Sequence, residues 1–169
     1  MMRNALKIMP ACIILAVFAM AQEQTPAEGS KPDPSILKEF TRTGSVNGVM
    51  MSFVLVNDKT VEVLFSGPSK YSLRARARMG TLIYVQGTPE KDVNQLDMKY
   101  TMEQDGATVE GTALNIKNFE GGAVTKGNRI DGLLQFDKKI DPSHAFKIKN
   151  AKTTVEFKLS HDALKLLGS

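Results

Sequence analysis

The sequence predicts an all-β chain: an antiparallel β-sandwich of the immunoglobulin-like kind, with about nine strands and a short helix at its C-terminal end. Apolar side chains recur at a period of two from Gly48 onward. Gly, Pro, Asn and Asp interrupt that pattern at spacings of roughly 8 to 12 residues. No long segment with a 3.6-residue apolar period lies between the interruptions, which argues against a parallel α/β sheet. The paired Cys and the Trp of true immunoglobulin domains are missing, so the label describes architecture only.

The elements follow in order. Ser35 to Phe40 reads as one helical turn with Ser35 as its N-cap. Met51, Phe53 and Leu55 alternate with Met50, Ser52, Val54 and Val56 in a first strand. Asn57-Asp58 supplies a turn, and Val61, Val63 and Phe65 then face inward against Thr60, Glu62 and Ser66, which predicts a hairpin. After Gly67-Pro68, Leu73, Ala75, Ala77 and Met79 alternate with Arg74, Arg76 and Arg78 in a third strand. Thr81 to Val85 is a fourth, ending at Gly87 and Pro89.

The cleanest alternation sets Leu96, Met98, Tyr100 and Met102 against Asp97, Lys99, Thr101 and Glu103, ahead of the turn dipeptide Asp105-Gly106. The return strand begins at Ala107 and Val109. Its apolar parity changes to Leu114 and Ile116 after Gly111, which predicts a bulge or bend at that glycine. Residues 118–128, rich in glycine and polar side chains, form the longest loop and a candidate binding loop. Three more strands centre on Leu134, Ile148 and Phe157, and His161 to Leu167 reads as a helix with Ser160 as N-cap and Gly168 as C-cap.

Composition bounds the rest. At 169 residues, 42% hydrophobic and 24% charged, the chain fits one folded domain and not a disordered, collagenous or multi-span membrane protein. Arg3 and Lys7 precede the apolar run from Ala11 to Ala19, and Ala19-Met20-Ala21 has the small-x-small pattern of a signal peptidase site. Residues 1–21 are therefore expected to be a cleaved signal peptide, the run being short against the roughly 20 residues that span a bilayer. Residues 22–34, with three prolines and almost no large apolar side chain, read as a disordered leader, and 35–169 as a single β-sandwich domain. Without Arg3 and Lys7 the balance is 20 basic to 18 acidic residues, too even for a nucleic-acid footprint. Cys12, the only cysteine, lies inside the signal, and no Asn-x-Ser/Thr site occurs. The protein is accordingly expected in a bacterial periplasm or in the medium, without an integral membrane span in its mature chain.

The chemistry is sparse. His144 and His161 stand far apart outside any HExxH, CxxC or EF-hand pattern, so no metal site and no cofactor are predicted. No G-x-S-x-G elbow or cysteine nucleophile marks a hydrolase, and the expectation is no catalytic residue and no enzyme. The most polarised feature is Arg74, Arg76 and Arg78. On one strand face they span roughly 13 to 14 Å at about 3.3 Å per residue, with Lys70 at the same parity. Guanidinium pairs bidentately with phosphate and carboxylate, which makes this ridge the candidate contact for an unknown protein or an anionic envelope component. It lacks the interleaved aromatics that nucleic acid would need.

The expected function is non-covalent binding or envelope structure. One alternative is periplasmic copper handling through Met50, Met51, Met79, Met98 and Met102, since thioethers select reduced copper; the other is an unrecognised secreted hydrolase. Strict alternation of Met98 and Met102 with Leu96 and Tyr100 fits a core face better than a ligand pair.

Overall fold

A computed structural model describes residues 33–168. The predicted signal peptide and all of the leader except Asp33 and Pro34 lie outside the described residues. The described chain opens with a 3-10 turn, Pro34–Ile36, whose N-cap is Asp33 and not Ser35: the Asp33 carboxylate accepts from the Ser35 amide at 2.9 Å. Helix α1, Leu37–Phe40, continues it and buries Phe40.

Eight antiparallel strands follow. They are β1 Thr41–Val46, β2 Val49–Leu55, β3 Thr81–Gly87, β4 Tyr100–Gln104, β5 Ala107–Lys117, β6 Ile130–Phe136, β7 Phe146–Asn150 and β8 Thr153–Phe157. Hydrogen bonds join them into one sheet in the order β1-β2-β3-β6-β5-β4-β7-β8. The sheet is nearly closed. A Cβ on Gly44 of β1 would stand 2.6 Å from the Val155 side chain of β8, and the Thr153 hydroxyl donates to the Ser45 carbonyl, although no ladder joins the two strands. The expected alternation of in and out thus builds a single sheet curling on itself, in place of two separately paired sheets.

β5 makes the curl possible. Its first half pairs with β4 from Ala107 to Gly111, and its second half pairs with β6 from Thr112 onward. The strand turns the corner at Gly111, where the parity change placed a bend. The bulge itself lies further on, where the register shifts between Asn115 and Lys117.

Paired residues share a face, so Phe53, Val85, Gly132, Leu134, Tyr100, Ile148 and Val155 all point inward. Aromatic rings fill that interior: Phe146 stacks on Phe157 at 4.7 Å, and Tyr100 lies between Phe53 at 6.4 Å and Phe119 at 6.2 Å. Phe119 belongs to the loop after β5 but is only 1% exposed, because it folds beneath Gly132, where an added Cβ would lie 1.8 Å from its ring. The Tyr100 hydroxyl is buried there without a hydrogen-bond partner, and burial, with Asp97 nearby, raises its pKa well above the ordinary phenol value.

Two expected strands are helices. α2, Asp58–Leu64, and α3, Ser69–Met79, form a helical hairpin between β2 and β3. Asn57 does not turn a β-hairpin; it caps α2. Its side chain accepts from the Lys59 and Thr60 amides, while the Thr60 hydroxyl accepts from the Asn57 amide, a reciprocal capping box. The alternation across Leu73 to Met79 is overridden because no residue of α3 is β-branched, and Leu, Arg, Ala, Lys and Met are strong helix formers. β1, with Thr41, Thr43 and Val46, supplies a strand that the alternation did not show. Losing two strands and gaining one leaves eight. The closing helix α4, His161–Gly168, stands where expected, with the Ser160 hydroxyl accepting from the Ala163 amide at 3.0 Å. Among the described residues no helix is long and apolar enough to cross a membrane.

Candidate functional site: a cationic groove beside the helical hairpin

The helical hairpin covers the outer face of β3 and β6, which is why both strands are buried on both sides. Leu73 packs down onto the sheet, and Phe65 meets the Tyr84 ring edge-on at 5.4 Å. The three arginines therefore do not form one ridge. On a helix, Arg74 and Arg78 share a side and face the acids of α2, whereas Arg76 lies elsewhere and donates to Gln135 Oε1 at 2.7 Å. Arg74 pairs with Glu62 and lies 3.9 Å from Asp58; Arg78 reaches Asp58 at 3.1 Å; Lys70 reaches Glu62 at 2.8 Å. The hydrogen bond from Lys70, then the charge of Arg74, hold the Glu62 carboxyl below its usual range against the opposing effect of its partial burial.

At the C-terminal end of α3 the hairpin, the β6–β7 loop and α4 enclose a groove of about 260 Å³. Its base is apolar, with Leu55, Ala77, Ile140 and Leu167. Lys59, Arg78 and Lys139 stand around it against one acid, Asp58. The loop that brings in Lys139 is held from below by Thr81. Its buried hydroxyl donates to the Lys138 carbonyl at 2.7 Å and accepts from the Ile140 amide at 3.0 Å. Gln104 fixes the next residues, donating to the Asp141 and His144 carbonyls and accepting from the Asp141 amide. The groove thus has rigid walls, and Asn57, on its lining, keeps a side-chain N–H without a partner. Of the predicted triad only Arg78 reaches this groove.

A second polar constellation, invisible to spacing arguments, lies on the outer wall. The Tyr84 hydroxyl donates to Asp131 Oδ1 at 2.5 Å, and Arg129 reaches Asp131 Oδ2 at 2.7 Å and the Tyr84 oxygen at 3.1 Å. Burial, and then the hydrogen bond to Asp131, raise the Tyr84 pKa, so the phenol keeps its proton. Register explains the meeting: Tyr84 and Asp131 lie on neighbouring strands, two positions apart on one face. The cluster ties β3 to β6.

The long loop is a cap. Val124 bridges to Val93 with paired backbone hydrogen bonds of 2.8 and 2.9 Å, and Gly127 donates to the Pro89 carbonyl, so residues 118–128 close the end of the barrel opposite the groove. An open depression of about 460 Å³ beside them carries charges of both signs, Asp97, Lys99 and Glu120. The methionines scatter: Met51 and Met102 are interior, Met98 is half-buried against Gly121, and Met50 and Met79 are exposed on different elements. Among the described residues no three His, Cys, Asp or Glu side chains gather as metal ligands would. No family model, curated protein or solved structure matches the chain.

Proposed function

We propose that the protein is an exported, non-catalytic binding module that takes a small anionic amphiphile of the cell envelope into the groove beside α3. One observation carries this reading: three cations face one acid around a rigid groove with an apolar base. A carboxylate or phosphate would pair with Lys59, Arg78 and Lys139 while its hydrocarbon covers Ile140 and Leu167. At about 260 Å³ the groove suits a short acyl chain better than a whole lipid. The barrel interior, being filled by rings, is not offered as the site.

Export rests on the basic, apolar and small-residue pattern of residues 1–21, and it gives the module a periplasmic or extracellular place where such amphiphiles occur. The corner in β5 also supports reading the curled sheet as two layers, β1-β2-β3-β6 and β4-β7-β8, in the sense of a sandwich sealed along one side.

Calorimetric titration with dodecanoate tests the groove. Dodecanoate should bind the parent, and Lys59→Glu with Lys139→Glu should weaken binding by at least about twentyfold, from roughly 1 kcal/mol for each lost charge contact. Lys139 is exposed and Lys59 half-buried at the start of α2, so thermal unfolding should move little. Parent-like affinity in the double variant, or no binding by the parent, overturns the reading.

A further inference from the structure

We propose that the outward face of α3 is a docking surface for an anionic membrane. The inference goes beyond the groove and does not depend on it. At about 100° per residue, Tyr71, Ala75 and Met79 form one stripe along α3, directly opposite the buried Leu73. Tyr71 and Met79 are each 75% exposed, and they are two of the four large exposed hydrophobic side chains among the described residues. Arg78 flanks the stripe on one side and Arg76 on the other.

The helix carries no acid. Residues 58–79 hold five basic and two acidic side chains, whereas residues 22–57 and 80–169 together hold fifteen basic and sixteen acidic. The positive charge of the chain after residue 21 is thus concentrated in this hairpin. Among the described residues Arg76 bonds only a neutral amide, and the Arg78–Asp58 pair is more than half exposed on both sides, so both guanidiniums can turn to external phosphates.

An 11-residue helix, about 16 Å long and roughly 10 Å wide, offers on the order of 160 Å² on one face, far short of the roughly 800 Å² per partner that a stable protein interface covers. A lipid surface imposes no such requirement: it supplies phosphates on both sides of the stripe and an apolar layer under it. Tyrosine, with an apolar ring and a polar tip, suits the headgroup level. The short stripe implies reversible, salt-sensitive attachment, not insertion.

The test is sedimentation of the purified protein with vesicles of phosphatidylcholine alone or with 30% phosphatidylglycerol. Binding is expected only to the anionic vesicles and should weaken as salt rises. Tyr71→Ser with Met79→Ser should reduce it about tenfold, and Arg76→Glu at least about fivefold, while Arg76→Lys retains most of it. All three positions are exposed, and circular dichroism confirms that each variant is folded. No binding to anionic vesicles, or equal binding by the parent and the Tyr71/Met79 variant, overturns the proposal. Capture of a protein with no vesicle binding does the same. Lys59→Glu with Lys139→Glu, which empties the groove, should leave at least the stripe-dependent part of vesicle binding, so failure of either reading is visible separately.

Discussion

At the end of the barrel where β1 turns into β2, Phe119 folds inward beneath Gly132 and two long loops bridge over it at Val93 and Val124. At the other end the sheet is met by a capped helical hairpin, and the space left over is a groove lined by Lys59, Arg78 and Lys139. Hydrocarbon seals one end; charge surrounds an opening at the other. A barrel of eight strands has just enough room for its own side chains or for one small ligand, and here the rings occupy that room. The first end therefore serves stability, and the space that remains lies outside the sheet.

The largest effect that could break this contrast is on the plug. Phe119→Ala should destabilise the protein by about 3–5 kcal/mol, because it removes a fully buried ring that the rigid barrel cannot collapse around. Denaturant unfolding measures it. A loss below about 1 kcal/mol would mean that the plugged end is not packed as described. A smaller effect sharpens the interior. Tyr100→Phe should be neutral or stabilising by up to about 1–2 kcal/mol, since it deletes a buried hydroxyl that has no partner. A clear destabilisation would show that the hydroxyl has a function or a partner inside the barrel.

The smallest effect concerns the groove end. His144 pairs with Asp105 at 3.0 Å, joining the β4–β5 turn to the β6–β7 loop, and that bond raises its pKa above the ordinary 6.5. The contribution is complete below the ordinary value and is lost as pH rises through the raised one. Stability should therefore decline slightly on going from pH 6 upward, and Asp105→Asn should remove the decline. Following the His144 ring by NMR gives the same answer directly: its midpoint should fall in the variant.

Much of the fold was legible where alternation was strict and turn residues stood at its ends. Tyr100, Met102, Val155 and Phe157 face the core as their spacing required, although the strand predicted from Leu96 begins only at Tyr100, and Ser160 caps its helix. The helical hairpin is hidden from alternation, because Leu73, Ala75, Ala77 and Met79 alternate as regularly as a strand while every one of them also favours a helix. Two signals in the sequence favoured the helices: Asn57 with Thr60 at capping-box spacing, and the absence of any β-branched residue from Ser69 to Met79. The candidate site depends most on that difference. A strand would have aligned Arg74, Arg76 and Arg78; a helix sends Arg74 to Glu62, Arg76 to Gln135 and only Arg78 to the groove. Lys59 and Lys139 join it from other segments, 80 positions apart, a meeting that local pattern cannot show.

The seam between β1 and β8 bears on how copies of this chain meet one another. Each strand is the edge of the sheet, and each shields the other from solvent, helped by Arg42 donating to the Lys158 carbonyl and Ser160 to Glu39. Neither edge is free to recruit a stranger while the seam holds. Because side chains and not a ladder hold it, local opening would bare two matching edges at once, and two opened molecules could each accept the other's β8. Such pairing, β1 of each copy on β8 of the other with the β7–β8 ladder intact, would be a closed two-fold contact and not open-ended stacking.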